Sequence, residues 1–417
     1  MGATTSQRVS PYCIISFIPI RFTHAFYQQI SGDAITRARQ NSHIALPESN
    51  IHSTNYWTGS AEVEMEFRQT YEVLRLLGRG ASAEVYLIRH RQTKEEYACK
   101  IVKKTNSSMN DARTMKTETT IMKKLQDKHL LRMHELYETE DTIWMILDYA
   151  EGGDMMHALA SLPNYSERNV AKIFKQMLLG VKYLHSEGIV HRDLKLDNIL
   201  YSKQEEGESE ESEIQVKIAD FGLSALTSVK RTSENSKKVK SMKSLKEMWG
   251  TTEYFAPEVY ERAYGSQADI WALGCILYEM LTGDVAFPFR DSNDDSLVDK
   301  VMTKAMLKKK AMRSFEMKDG WKELSAEAQS LIKGMLKRNA TMRFDVDECL
   351  AHPWITGEGL EARHSQELNR TKKIVKERSE RRLRRYESLI NEMKKAEAHR
   401  SKQQQLQQPQ LAVTAAQ

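Results

Sequence analysis

The 417-residue chain carries 29% charged and 40% hydrophobic residues, with four cysteines, 8 prolines and 19 glycines. That composition excludes collagen-like, mucin-like and disulfide-stapled chains, and the length leaves room for two or three folded units with ample cores. A formal net charge of +5, from 62 Lys and Arg against 57 Asp and Glu, is too balanced to mark a nucleic-acid binder, and no nucleic-acid partner is expected.

Residues 1–66 scatter Ser, Thr, Asn and His without sustained periodicity and predict a disordered or weakly ordered leader. Its apolar stretch Cys13–Ile20 contains Pro19 and is too short for a membrane span of about 20 residues. Gly2 and Ser6 satisfy the myristoylation pattern, but a single acyl chain anchors weakly and basic neighbours are few, so an unmodified start is the preferred expectation. Cys13, Cys99, Cys275 and Cys349 form no CxxC pair, which fits a reduced, intracellular and chiefly cytoplasmic setting.

At Tyr71 the pattern changes. Tyr71–Leu77 and Val85–Ile88 predict two strands joined by a glycine turn at Gly78 and Gly80. Glu96–Val102 and Thr142–Leu147 predict further strands, with a helical segment around Met115 to Leu125 between them. After Gly152-Gly153 the texture becomes helical. Val170–His185 spaces its apolar residues by three and four, Gln267–Thr282 predicts a long apolar helix, and Leu331–Leu336 and Val346–Leu350 follow. An acidic insert, Glu205–Glu213, and a basic Ser-rich one, Ser228–Lys246, predict surface loops.

Between Glu361 and Lys402 stand 14 Lys or Arg and 7 Asp or Glu, a net charge of 14 − 7 = +7 that leaves 5 − 7 = −2 for the rest. Within residues 371–393, Leu383, Tyr386, Ile390 and Met393 share one helical face surrounded by basic residues. Such a helix can be a calmodulin target or lie on an acidic membrane surface, although a solvated charged helix is the simpler expectation. The Gln-rich end is of low complexity.

The chemistry reads in chain order. Gly78 and Gly80 at a strand turn let the backbone approach a triphosphate, although an ordinary hairpin explains them equally well alone. Lys100 on the following strand can meet the α- and β-phosphates of a nucleotide such as ATP if an acid fixes it, and Glu118 is suitably placed. A solvated lysine and a plain helix-surface acid are the simpler alternatives. His191-Arg-Asp193-Leu-Lys195-Leu-Asp-Asn198, followed by Asp220-Phe-Gly222, is far more specific. Asp193 would orient or accept a hydroxyl proton, Lys195 would stabilise a moving phosphoryl group, and Asn198 with Asp220 would supply the hard oxygens that Mg2+ requires.

In this set and its order, residues 71–355 resemble a eukaryotic protein kinase. The resemblance implies an α+β, bilobal fold: a small β-rich N-lobe at 71–147 with one main helix, a larger mainly α C-lobe at 151–355, then a basic, charged helical or disordered tail at 356–417. It further implies an adenine pocket lined by Leu77, Val85, Ala98, Leu200 and Ala219, a gatekeeper at Leu147, a hinge at Asp148 to Ala150, and a ribose contact from Asp154. Core packing is the alternative for these apolar positions.

Lys195 together with Gly250-Thr251-Thr252-Glu-Tyr-Phe-Ala-Pro-Glu258 resembles serine/threonine kinases, in which Thr251 would seat the substrate hydroxyl. Glu258 is expected to pair with Arg343, and Asp269 to brace the catalytic loop. Tyr183–His191 and Ala351–Ile355 resemble the calcium/calmodulin-dependent kinase group. Ala83 stands where a third glycine is usual, Thr252 where proline is common, and Cys99 where a larger apolar residue is usual; none removes a catalytic atom. The resemblance implies transfer from Mg-ATP to a protein Ser or Thr, with Arg192 and hydroxyls in Thr227–Thr252 as candidate regulators. The competing expectation is an inactive, kinase-like interaction protein.

Overall fold

The first described residues form a helix, α1 (Ala61–Thr70), ahead of the change of pattern at Tyr71 and inside the expected leader. The computed structural model describes residues 61–79, 83–104, 109–203, 214–226, 245, 251–287, 315–358, 362–384 and 388. Gly80, the acidic insert, the basic insert apart from Leu245, and the tail residues Tyr386, Ile390 and Met393 lie outside them.

Five strands follow: β1 (Tyr71–Arg79), β2 (Ala83–His90), β3 (Glu96–Lys103), β4 (Met133–Glu138) and β5 (Thr142–Asp148). They form an antiparallel sheet in the order β1-β2-β3-β5-β4. Side chains alternate faces along a strand, so the run Ala98-Cys99-Lys100-Ile101-Val102 sends its residues to two destinations. Ala98 and Val102 join Leu77, Val85, Met145 and Leu147 in the core that continues into the second lobe. Cys99 and Ile101 join Tyr86, Ile88, Trp144 and Ile146 in a separate outer cluster.

Phe67 of α1 closes that outer cluster. Its ring lies 5.0 Å from Trp144, 5.5 Å from Tyr71 and 5.9 Å from Tyr137. Aromatic pairs of this kind add about 0.5–1.5 kcal/mol each beyond the area they bury. The helix between β3 and β4, α2 (Met109–Met122), starts before the expected Met115 and ends short of Leu125, with Ile121 and Met122 buried in the inner core.

The second lobe opens with β6 (Gly153–Asp154) and α3 (Met155–Ala160), whose first turn is capped by the Asp154 carboxylate accepting from the His157 N–H at 3.0 Å. Ser166 caps α4 (Glu167–Ser186), and its three-and-four spacing buries Val170, Ile173, Phe174, Met177, Leu178, Val181 and Leu184 on one stripe. Short strands β7 (Ile189–Val190), β8 (Ile199–Lys203), β9 (Ile214–Ile218) and β10 (Ala225–Leu226) carry the intervening loops. They form two small sheets, β6-β8-β9 and β10-β7.

After α5 (Pro257–Tyr260), α6 (Gln267–Thr282) is apolar nearly all round and buried from Ala268 to Thr282, so it forms the axis of the lobe. Against it pack α7 (Asp319–Lys322) and α8 (Ala326–Met335), while α9 (Val346–Ala351) and α10 (Pro353–Thr356) pack on α4. The buried Glu167 carboxylate ties three helices together: it accepts from Ser325 N (2.8 Å), Ser325 Oγ (2.6 Å) and Trp354 Nε1 (2.8 Å). The described cysteines, Cys99, Cys275 and Cys349, are buried free thiols. Among the described residues no helix is long and apolar enough to cross a membrane.

A last helix, α11 at 369–384, falls in the basic tail and packs on the lobe. Thr371 and Val375 are buried, and the Thr371 hydroxyl donates to the Leu281 carbonyl at 2.8 Å. The glycine after α6, Gly283, has φ 76°, and Ile374 sits where a Cβ at position 283 would come within 2.8 Å of it. Leu383 on this helix is partly buried.

Candidate active site

Cross-strand pairing sets the upper wall of the site. Val85 lies opposite Lys100, which lies opposite Met145, while Ala98 lies opposite Leu147. The lower wall comes from β8 and the residues after β9. One pocket gathers Val85, Lys100, Glu118, Met122, Leu131, Leu147, Asp197, Asn198, Leu200, Ala219 and Asp220.

Lys100 Nζ lies 2.7 Å from Glu118 Oε1, and both side chains are about nine-tenths buried. Burial opposes the Lys100 charge, but Glu118 and Asp220 outweigh it and hold the ammonium above the ordinary lysine value. Gly222 leaves the room this needs, because a Cβ there would stand 3.3 Å from Asp220 Oδ1 and 3.5 Å from Glu118 Oε2.

The loop between β7 and β8 centres on Asp193. Its Oδ2 accepts from Lys195 Nζ at 2.6 Å and Asn198 Nδ2 at 3.1 Å, while Oδ1 accepts from the Thr251 N–H and hydroxyl, both at 2.8 Å. Lys195 Nζ also reaches Thr251 Oγ1 at 3.0 Å. Asn198 Nδ2 donates to the Asp193 carbonyl as well (2.8 Å), so its amide oxygen is the atom left for a cation. With the Asp220 carboxylate in the same pocket, two hard oxygens suit Mg2+.

Arg192 and Asp220 hold positive φ, 72° and 67°, an expensive conformation for residues with a Cβ. Asp269 of α6 supports the first of them, accepting from His191 N (2.9 Å) and Arg192 N (3.0 Å), with His185 Nε2 at 2.9 Å. Burial would raise the Asp269 pKa, but the His185 hydrogen bond, the nearby His185 and His191 rings and the Arg192 amide hold it below its usual value. The expected bracing by Asp269 is therefore present, and so is the Glu258–Arg343 pair, bidentate at 2.5 and 2.9 Å. The Arg192 guanidinium is turned to the Leu223 and Ser224 carbonyls.

The sequence profile of the protein kinase domain matches residues 71–355. The chain belongs to the protein kinase family. Calcium/calmodulin-dependent protein kinase type IV of Rattus norvegicus is 31% identical over 328 residues, covering 77% of this chain and 62% of that protein. Serine/threonine-protein kinase GD17699 of Drosophila simulans is 31% identical over 345 residues, 82% of this chain and 42% of that protein. Calcium-dependent protein kinase 4 of Plasmodium berghei is 32% identical over 290 residues, 69% of this chain and 50% of that protein. The chain thus spans from 42% to 62% of the lengths of these relatives.

Within this kinase domain most of the expected site residues converge, but six stand differently. The Asp148 side chain lies outside the pocket, bonded to His134 and Lys217. Asp154 is engaged as the cap of α3. Leu77, Ala98 and Ala150 are buried in the core beside the pocket rather than lining it, and Gly78 sits opposite Val85 at the end of β1.

Sequence reasoning missed Met122, Leu131 and Asp197. Met122 follows Glu118 by one helical turn and Asp197 adjoins Asn198, so spacing could have found both. Leu131 carries no local signal: its N–H donates to the Ile218 carbonyl at 2.8 Å, a long-range contact that brings it to the pocket.

Proposed function

We propose that the chain transfers the γ-phosphoryl group of Mg-ATP to a serine or threonine hydroxyl of a protein substrate. The observation that carries this reading is the knot of Asp193, Lys195, Asn198 and Thr251, joined to the pocket that holds the Lys100–Glu118 pair and Asp220. Lys100, fixed by Glu118, meets the nucleotide phosphates. Asp193 orients the acceptor hydroxyl and takes its proton, Thr251 helps seat that hydroxyl, and Lys195 faces the charge that develops on the transferred group. Asn198 and Asp220 would hold Mg2+, which when bound offsets the charge of the phosphate oxygens. With Mg-ATP the full chain is expected to phosphorylate a member of a basic Ser/Thr peptide library, and EDTA to abolish the transfer. No transfer to itself or to any peptide hands the chain to the interaction-protein reading.

The same proposal includes control by the tail. In α11, Arg378 lies 2.5 Å from the buried Glu279, and Arg382 pairs with Asp197 at the mouth of the nucleotide pocket. Glu279 also accepts from Tyr254 at 2.6 Å, three residues beyond Thr251. A docked tail therefore covers two carboxylates flanking the place where a substrate must lie, and it competes with cationic peptides. Removing both arginines (Arg378→Ala with Arg382→Ala) is expected to raise kcat/KM for a basic peptide by roughly five- to thirty-fold, the equivalent of ~1–2 kcal/mol from two partly exposed ion pairs. Unchanged kcat/KM removes the competing role. Calcium-loaded calmodulin, named in the relative type IV kinase, is the proposed reliever, since a basic helix with an apolar face is the form it recognises.

A further inference from the structure

Outside the nucleotide pocket, the carboxylate of Asp148 collects donors from both lobes. Asp148 ends β5, where the chain leaves the small lobe. Its Oδ1 lies 2.8 Å from His134 Nε2 of β4, and its Oδ2 lies 2.7 Å from Lys217 Nζ of β9 and 3.1 Å from the Arg132 N–H. The Asp148 N–H returns a bond of 3.0 Å to the Arg132 carbonyl. The three side chains are 18% (Asp148), 16% (Lys217) and 26% (His134) exposed, and the Tyr97 ring covers His134 at 4.9 Å.

Burial alone would raise the Asp148 pKa, but the bonds from His134, Lys217 and the Arg132 amide pull it down to about 2, so the carboxylate stays charged at neutral pH. None of the three side chains lines the nucleotide pocket. Their neighbours do: Leu147 precedes Asp148, and Leu200 lies opposite Lys217 in the β8–β9 register. One carboxylate thus ties the wall of the adenine pocket to its floor.

We propose that the His134–Asp148–Lys217 cluster is a latch between the lobes that holds residues 147–150 in the position adenine reads, which makes His134 and Lys217 positioning residues for the nucleotide. This inference rests on the kinase reading above. A segment freed from the latch samples positions that do not fit adenine, and apparent affinity falls by the fraction of time it is misplaced. The acceptor and the transferred phosphoryl group meet the catalytic loop, which the latch does not touch, so turnover should stay.

In the full chain, Lys217→Met is expected to weaken Mg-ADP binding and to raise KM for ATP about five- to ten-fold, the range of one charge-assisted hydrogen bond partly lost, with kcat within about two-fold. Lys217→Arg should restore both constants, and His134→Phe should give a smaller shift in the same direction. His134→Phe also serves as the second test if Lys217→Met does not fold. Mg-ADP affinity unchanged in Lys217→Met and His134→Phe removes the latch, as does a change in kcat with KM unmoved. A wild-type chain that binds no Mg-ADP overturns the kinase reading and the latch with it; wild-type binding matched by Lys217→Met overturns the latch alone.

Discussion

Asp193→Asn is expected to lower phosphoryl transfer by about 10²- to 10⁴-fold, the contribution of a positioned general base. The carboxylate accepts four side-chain or backbone bonds, two on each oxygen. A carboxamide keeps the shape, yet whichever way it turns, its NH2 faces donors: the Thr251 N–H on one side, Lys195 and Asn198 on the other. The catalytic loop must therefore shift locally while the lobes stay folded. Peptide phosphorylation measured beside Mg-ADP binding and a thermal melt separates these effects, with binding retained and the melt displaced by a few degrees. Activity within ten-fold of wild type would falsify the role given to Asp193.

Glu258→Ala should act on stability instead. The Arg343 side chain is fully buried, and Glu258 is its only carboxylate partner among the described residues. Its remaining bonds go to the Lys337, Gln267 and Arg338 carbonyls, and the guanidinium lies 5.1 Å from the Trp271 ring. Deleting one member of such a pair strands a buried charge, which costs about 3–5 kcal/mol. For a domain of this size that is a fall in Tm of roughly 6–20 °C. Glu258→Gln keeps one of the two acceptor oxygens and should lose less. Chemical denaturation that places Glu258→Ala within about 1 kcal/mol of wild type contradicts this account.

The parts legible in the sequence were those whose signal is local. The strand after the glycine turn placed Lys100 beside the pocket, and the spacing of Val170 to Leu184 drew α4 nearly to its ends. The short run from His191 to Asn198 carries Asp193, Lys195 and Asn198 on one loop, so order and spacing suffice to bring them together as candidates. Illegible were the pairings made by distant segments. Lys217 and His134 carry no local signal, because nothing in their own neighbourhoods points to Asp148. Leu131 reaches the pocket through a bridge to β9. Asp148 was legible as a hinge position, but the His134 and Lys217 side chains that bond its carboxylate were not. Charge and one apolar face described the tail, whereas Thr371 and Val375 dock it through buried contacts that neither signal announces.

The position of Phe67 bears on where this catalytic domain can be cut. Its ring packs edge-on against the buried Trp144 and the half-buried Tyr137, although it lies four residues ahead of the first strand. A recombinant fragment started at Tyr71 would bare a sticky aromatic surface on the back of the sheet and invite self-association. Expression boundaries for this domain belong upstream of Ala61.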